Sequence, residues 1–136
     1  MSKLFIGIGI VINSFGEVLI DQRKYDQTMG GLWEFPGGKQ EKHELIQETI
    51  KREISEELQI SVKVGDKLVE FDYPYKDNIL HFVVHICNLQ RGFPKPLQSI
   101  KCKWVKPEQL VNYNFPPANV VMINALQKYL LLYKGN

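Results

Sequence analysis

The run from Leu4 to Ile12 is apolar apart from two glycines, and a second strand-like run, Glu17 to Arg23, follows the turn-forming Asn13-Ser14-Phe15-Gly16. Two such runs around a Gly-containing loop predict a β-hairpin within a central sheet. Asp26 to Gly31 is a polar, Gly-rich break, and Leu32 to Phe35 is short and aromatic. Pro36-Gly37-Gly38 then predicts a turn whose glycines approach a ligand closely or adopt positive φ. At this point the period changes. Between Glu44 and Leu58, Ile46, Ile50, Ile54 and Leu58 recur every four residues, the apolar stripe of a helix packed on a sheet. Val62 to Val64, Lys67 to Pro74 and Ile79 to Leu89 read as strands, with Tyr73 to Asn78 turning between the last two. Beyond the loop Gly92 to Pro96 come a strand over Ile100 to Val105 and a short helix over Lys106 to Val111, whose Pro107 suits a first turn. Pro116 and Pro117 lead into a final helix from Ala118 to Tyr133. This order predicts an α/β fold, a mixed central sheet between helices in an α/β/α sandwich, as one domain over residues 1–136.

Composition narrows the function without naming it. With 44% hydrophobic and 24% charged residues the chain is ordinary globular protein. A net charge of +2 lacks the clustered basic excess of a nucleic-acid polymer binder. The two cysteines, Cys87 and Cys102, form no CxxC pair and read as buried free thiols in a reducing compartment. The apolar N-terminal run has no A-x-A-like cleavage site and flows into a turn and second strand, so it is read as structure rather than as a signal peptide. No apolar run reaches the roughly 18 residues of a membrane span. The expectation is a cytoplasmic monomer with no membrane partner.

The stretch Gly38 to Ile60 carries the chemistry: Glu44, Arg52, Glu53, Glu56 and Glu57 lie in a Gly-led loop and one helix. At about 100° per residue, Glu53, Glu56 and Glu57 fall within roughly 100° of one another. Like charges crowded on one helix edge repel. Something positive among them resolves the conflict, and a hard divalent cation with oxygen ligands is the natural choice.

The spacing Gly38, five residues, Glu44, seven residues, then Arg52-Glu53-Ile54-Ser55-Glu56-Glu57 resembles the Nudix box. The flanking Phe35-Pro36-Gly37-Gly38 and the later Phe115-Pro116-Pro117-Ala118-Asn119 resemble its MutT branch. The resemblance implies a pyrophosphohydrolase dependent on Mg²⁺, or on Mn²⁺, acting on a nucleoside triphosphate. Glu53, Glu56 and Glu57 would then be metal ligands, joined by a backbone carbonyl at Gly37 or Gly38, with one glutamate doubling as general base. Arg52 would orient a carboxylate through a bidentate pair, a task that suits arginine better than lysine. Lys39 would meet a substrate phosphate and Glu44 a metal-bound water; a solvated loop charge is the alternative for both. Two positions depart from the pattern. Gln59 stands where the box has a helix-ending glycine, at a cost on the order of 1 kcal/mol. Gly92 to Lys103 contains no Asp or Glu where MutT-like proteins carry a further acid; Gln98 stands near that place and predicts a weaker metal site.

Arg23, Phe35 and Asn119 match positions that contact the base in MutT-like proteins. An asparagine amide offers a donor beside an acceptor and so reads a purine edge; the alternative is that Asn119 only begins the last helix. In the turn Tyr75-Lys76-Asp77-Asn78, Lys76 or Asn78 stands where that branch has an arginine. His81 and His85 share one strand face and read as half-buried rather than as ligands, His43 is a variable box position, and Trp33 and Trp104 are core or pocket-wall residues. The leading expectation is hydrolysis of 8-oxo-dGTP to the monophosphate and pyrophosphate. The alternatives are hydrolysis of CTP or a dinucleoside polyphosphate, and a non-catalytic nucleotide-binding or DNA-repair accessory role.

Overall fold

The computed structural model describes residues 2–134. Its axis is strand β1 (Ser2–Ile12), paired in parallel along its whole length with a long strand over Asn78–Arg91, from Ser2 opposite Asn78 to Ile12 opposite Asn88. The other side of β1 is divided. β2 (Val18–Gln22) pairs with it only at Ile12–Val18, and β4 (Gly37–Lys39) pairs antiparallel at Ile6–Lys39, Gly7–Gly38 and Ile8–Gly37. β2 carries the short β3 (Trp33–Glu34) and, on its other side, β7 (Lys101–Val105). β5 (Ser61–Tyr75) closes the far edge against the Asn78–Arg91 strand, β6. Among the described residues the mixed sheet is therefore seven-stranded, with the path β3-β2-β1-β6-β5.

Helices cover both faces, as the pattern predicts. α1 (Ile46–Leu58) buries Ile50, Ile54 and Leu58 against Val11, Leu19, Val62 and Cys87. α2 (Pro117–Lys134) buries Ala118, Met122 and Leu126 against Ile8, Ile10, Ile20, Phe82 and Val84. Alternation along β1 explains the division, since successive strand residues face opposite layers. Gly7 and Gly9 face α1, and a Cβ on Gly9 would sit 2.7 Å from Ile54 Cδ1. These glycines bring the helix close to the sheet, which sets the depth of the carboxylates that α1 carries.

The structure revises several expectations. Gly37 and Gly38 belong to a strand rather than a free turn, because their backbone completes the β1 ladder where β2 leaves it. Val62–Val64 and Lys67–Pro74 merge into one strand, with register shifts on either side of Lys67. α1 starts at Ile46, leaving Glu44 in the loop; Leu45 is extended, and its N–H donates to the Glu48 carboxylate at 2.8 Å. The short helix is a 3₁₀ helix over Pro107–Asn112. His81 is half-buried as expected, whereas His85 is fully buried, with Nδ1 2.9 Å from the Gly65 carbonyl. Cys87 is buried as expected, and that burial pushes its thiol up to about 12, whereas Cys102 is only half-buried. Among the described residues no helix is long and apolar enough to cross a membrane.

Candidate active site

Arg52 is the hub of the site. Its Nε donates to Glu44 Oε2 at 2.6 Å and its Nη2 to Glu44 Oε1 at 3.1 Å, a two-pronged pair. Nη2 also donates to the Lys39 carbonyl at 3.1 Å, and Nη1 to Glu53 Oε2 at 3.0 Å. Glu56 and Glu41 lie 3.5 and 3.4 Å from the same Nη1. Glu44 is itself held from three sides, since the Thr49 hydroxyl (2.7 Å) and the Glu41 N–H (3.0 Å) also donate to it. Charge-assisted bonds from Arg52, then the bonds from Glu41 and Thr49, hold the Glu44 carboxyl down at about 2. Its oxygens accept from all of these donors, so Glu44 anchors Arg52. Lys39 contributes its carbonyl to Arg52, while its side chain is exposed.

The three box glutamates share an edge of α1 without converging. Glu53 is tied to Arg52, Glu56 is 52% exposed, and Glu57 faces the cavity beside the sheet. The Gly37 N–H donates to Glu57 Oε1 at 3.2 Å. Gly38 leaves the space that Glu53 fills, because a Cβ there would collide with the Glu53 carboxyl; one on Gly37, at φ 155, would collide with the Gly7 carbonyl. Burial above all, and then the charges of Glu34, Glu53 and Asp21, push Glu57 up to about 8 against the pull of the Gly37 N–H. Among the described residues no three Asp, Glu, His or Cys side chains meet closely enough to cage a metal ion. The donor set nonetheless fits a hard cation. It is all oxygen, it sits beside glycine backbone open to close approach, and Glu57, raised by burial and then by its acidic neighbours, is a carboxyl whose proton a divalent ion would displace.

A cavity of about 320 Å³ opens from this edge. Gly37, Gly38 and Glu57 form its floor, and Arg23, Phe35 and Asn119 line it, so three of the four base-side residues are brought together with the box. Asn119 Oδ1 accepts from the Phe35 N–H at 3.4 Å, which leaves its NH₂ as the free end. Arg23 is held by Glu34 (Nη1, 2.8 Å) and the Thr28 carbonyl (Nε, 2.7 Å). Phe35 is buried and stacks on Phe115 with centroids 5.4 Å apart. Asn78, the fourth, stands opposite Tyr75 at the hairpin tip and is not among the cavity walls; neither is Gln98, which is exposed.

Four residues escaped the sequence reading. Glu34 lines the cavity and anchors Arg23; burial raises its carboxyl, and Arg23 opposes the rise. Asp21 faces Glu34 across the β2–β3 pair and is buried, which lifts it to about 6 although the Ser99 hydroxyl donates to it. A lone carboxylate in the apolar run Val18-Leu19-Ile20 was the available signal, since buried charge needs a reason. Tyr73 and Tyr75 line the cavity from β5, and the signal was Phe71, Tyr73 and Tyr75 at every second position.

A Gly-lined strand edge, an Arg-anchored row of helical carboxylates and an adjoining aromatic cavity define a phosphoanhydride-cleaving class of site. Residues 7–125 match the family described as NUDIX domain, and the chain belongs to it, a Nudix hydrolase of the MutT branch, in a family that is generally divalent-metal dependent. It is 31% identical to an 8-oxo-dGTP diphosphatase of Haemophilus influenzae over 89% of each chain. It is 29% identical to a CTP pyrophosphohydrolase of Escherichia coli, covering 90% of this chain and 91% of that one. A solved structure of MutT from work on Aliivibrio salmonicida and Vibrio cholerae superposes with a TM-score of 0.74 at 33% identity, covering 89% and 92% of the two chains.

Proposed function

We propose that the chain is a Mg²⁺-dependent nucleoside triphosphate pyrophosphohydrolase whose preferred substrate is 8-oxo-dGTP, cleaved by water to 8-oxo-dGMP and pyrophosphate. The observation that carries this reading is the continuity of one cavity from Glu57, Gly37 and Gly38 to Phe35 and Asn119. Phosphates and base can be engaged by one molecule at once. Glu53, Glu56 and Glu57, with the Gly37 or Gly38 carbonyl, would hold Mg²⁺ or Mn²⁺. When bound, the ion neutralises phosphate charge and lowers the pKa of a bound water. The protein's own part is orientation. Arg52, anchored by Glu44, fixes Glu53, and the Gly37 N–H fixes Glu57. On the base side, Phe35 presents an aromatic wall and Asn119 an amide donor held in place by the Phe35 N–H. Damaged-nucleotide removal in the cytoplasm by a monomer is the role this activity fits.

CTP is the second reading, favoured by the absence of the residue at 78 from the cavity and by the CTP-cleaving relative. A Mg²⁺-dependent hydrolysis screen over 8-oxo-dGTP, dGTP, CTP and a dinucleoside polyphosphate, with product identification and Glu53→Gln run alongside, decides between them. The expected result is the highest kcat/KM on 8-oxo-dGTP, with monophosphate and pyrophosphate as products. Faster cleavage of CTP rejects the preferred reading, and no cleavage of any nucleotide rejects the enzyme reading.

A further inference from the structure

Asp21 is a buried carboxylate that is not among the cavity walls. It is 5% exposed, follows the fully buried Val18, Leu19 and Ile20, and lies between two strands, opposite Glu34 on β3 and Cys102 on β7. An ionised group in such a place destabilises the fold unless a bond offsets its lost hydration. Its Oδ1 accepts from the Ser99 hydroxyl, and a hydroxyl bonded to a carboxylate is held more firmly than one bonded to a neutral acceptor. Arg23 and Glu34 are the other charges near it, and they are engaged with each other at 2.8 Å.

Ser99 belongs to residues 92–100, which join β6 to β7 without regular structure; it is half-buried, while Leu97, Gln98 and Ile100 are exposed. Such a connection moves unless its backbone is tied down. Here the ties run to two elements. The Lys95 N–H donates to the Leu58 carbonyl at 2.9 Å, and the Leu97 N–H is shared between the Glu57 carbonyl at 3.1 Å and the Lys95 carbonyl at 2.9 Å. The loop thereby takes carbonyls that the end of α1 leaves open. Two residues on, Ser99 is bonded to Asp21, and the Ile100 N–H donates to the Gln22 carbonyl at 2.9 Å. Only Gln98 separates the tie to the helix from the tie to the sheet. Glu57 is consequently held at both ends, its carboxyl by the Gly37 N–H at 3.2 Å and its carbonyl by Leu97. The loop brings no carboxylate of its own to this edge, so what it supplies is position. We propose that Asp21 is a positioning residue for the metal edge: through Ser99 it clamps the loop against the last turn of α1, and so holds Glu56 and Glu57 where a divalent ion needs them.

The clamp rests on the metal-dependent reading above. Its test is Mn²⁺ binding to the nucleotide-free protein, read by electron paramagnetic resonance at about pH 8, above the value of about 6 to which burial lifts Asp21. Ser99→Ala, Asp21→Val and the double variant should each weaken Mn²⁺ binding by about 5–10-fold, the scale of one hydrogen bond. The double variant should lose no more than either single one, because all three cut the same link. Ser99→Thr keeps the hydroxyl and should bind like wild type. In metal-free protein the Leu97 amide should exchange about 5–10-fold faster in the three cut variants, while amides of β1 keep their protection. Removing both partners leaves no buried group unpaired, so the double variant should melt closer to wild type than Ser99→Ala does and still bind Mn²⁺ weakly. Lowered melting with unchanged Mn²⁺ affinity would make the bond merely structural and overturns the proposal. Losses that add overturn it as well, and so does a loss in Asp21→Val without one in Ser99→Ala, which would assign the effect to the charge of Asp21. If wild type binds no Mn²⁺, the metal reading fails, and exchange at Leu97 still decides whether Asp21 clamps the loop.

Discussion

Arg52 and Glu44 meet as a fork, with Nε 2.6 Å from one carboxylate oxygen and Nη2 3.1 Å from the other. Because Nη1 of the same guanidinium reaches Glu53, the loop carboxylate sets the position of a carboxylate on the helix through a rigid planar group. Glu44→Gln and Arg52→Lys each break the fork while keeping volume. Both should lower kcat by about 10–100-fold, the usual effect of losing the partner that orients a metal ligand, the role proposed for Glu53. Steady-state kinetics checked against thermal melting separates this from unfolding. Since Glu44 is held near 2, below its ordinary 4.5, the fork's contribution is present above the ordinary value and is lost only as pH falls toward 2. Thr49→Val, which removes one of the donors that hold Glu44 down, should move the acid limb of the rate profile to slightly higher pH.

Glu57 has the opposite sign. Its folded value near 8 lies above the ordinary 4.5, so the metal-free folded state keeps a proton that the unfolded state releases, and metal-free stability should fall as pH rises between those values. Glu57→Gln removes this slope and melts with a flatter pH dependence. Magnesium should raise the melting temperature of wild type at pH 8 through preferential binding to the folded state. The increment should shrink strongly in Glu57→Gln, and kcat should drop at least about 100-fold. A magnesium shift of equal size in both proteins would remove Glu57 from the metal site.

Gln59 ends α1 in the left-handed region at φ 60, ψ 37, with its N–H donating to the Ser55 carbonyl at 3.0 Å. A side chain is disfavoured there and glycine is not. Gln59→Gly should stabilise the protein by about 0.5–1 kcal/mol after the extra freedom of glycine in the unfolded chain is subtracted. That corresponds to a rise of about 2–4 °C in differential scanning calorimetry, with kcat unaffected because Gln59 is exposed and lies outside the cavity walls.

What could be read in advance follows from how far each feature depends on contacts made by distant residues. The stripe Ile46, Ile50, Ile54 and Leu58 announces α1, and the acids interleaved with it announce the site, because both are local periodicities. The unusual cap at Gln59 was legible for the same reason. β4 was not, since a strand of two glycines and a lysine has no side-chain alternation, and its existence depends on the β1 edge that β2 leaves free. Gly65-Asp66 interrupts the alternation of β5 and looks like a loop, while in the fold it coincides with a shift in register. The bond from Arg52 to Glu44 was not legible either, since it is a contact across eight residues that a loop conformation decides. Asn78 and Tyr75 are cross-strand partners, and which of them enters the cavity depends on where the hairpin tip ends.

His81 offers a prediction away from the site. Its Nδ1 and Nε2 lie 2.5 Å from Asp72 Oδ1 and Glu70 Oε2, so one ring clamps edge strand β5 to β6. Lys3 approaches Asp72 at 3.3 Å and Lys67 approaches Glu70 at 2.7 Å, which completes the charges facing it, and Phe5 packs on the ring with centroids 5.0 Å apart. Bonds to Glu70 and then to Asp72 raise the imidazole above its ordinary 6.5. Lys67 and then His81 lower Glu70, and His81 and then Lys3 lower Asp72. For the raised histidine, the stabilisation is complete below 6.5 and is lost as pH rises through the folded value; for the lowered carboxylates it is present above their ordinary values and is lost in acid. The clamp is therefore strongest in mildly acidic solution. His81→Gln should show its largest melting-temperature deficit at about pH 5.5 and a smaller one at about pH 9, because the stabilisation is lost as pH rises through the raised folded value. A deficit equal at both pH values would instead assign His81 to packing against Phe5.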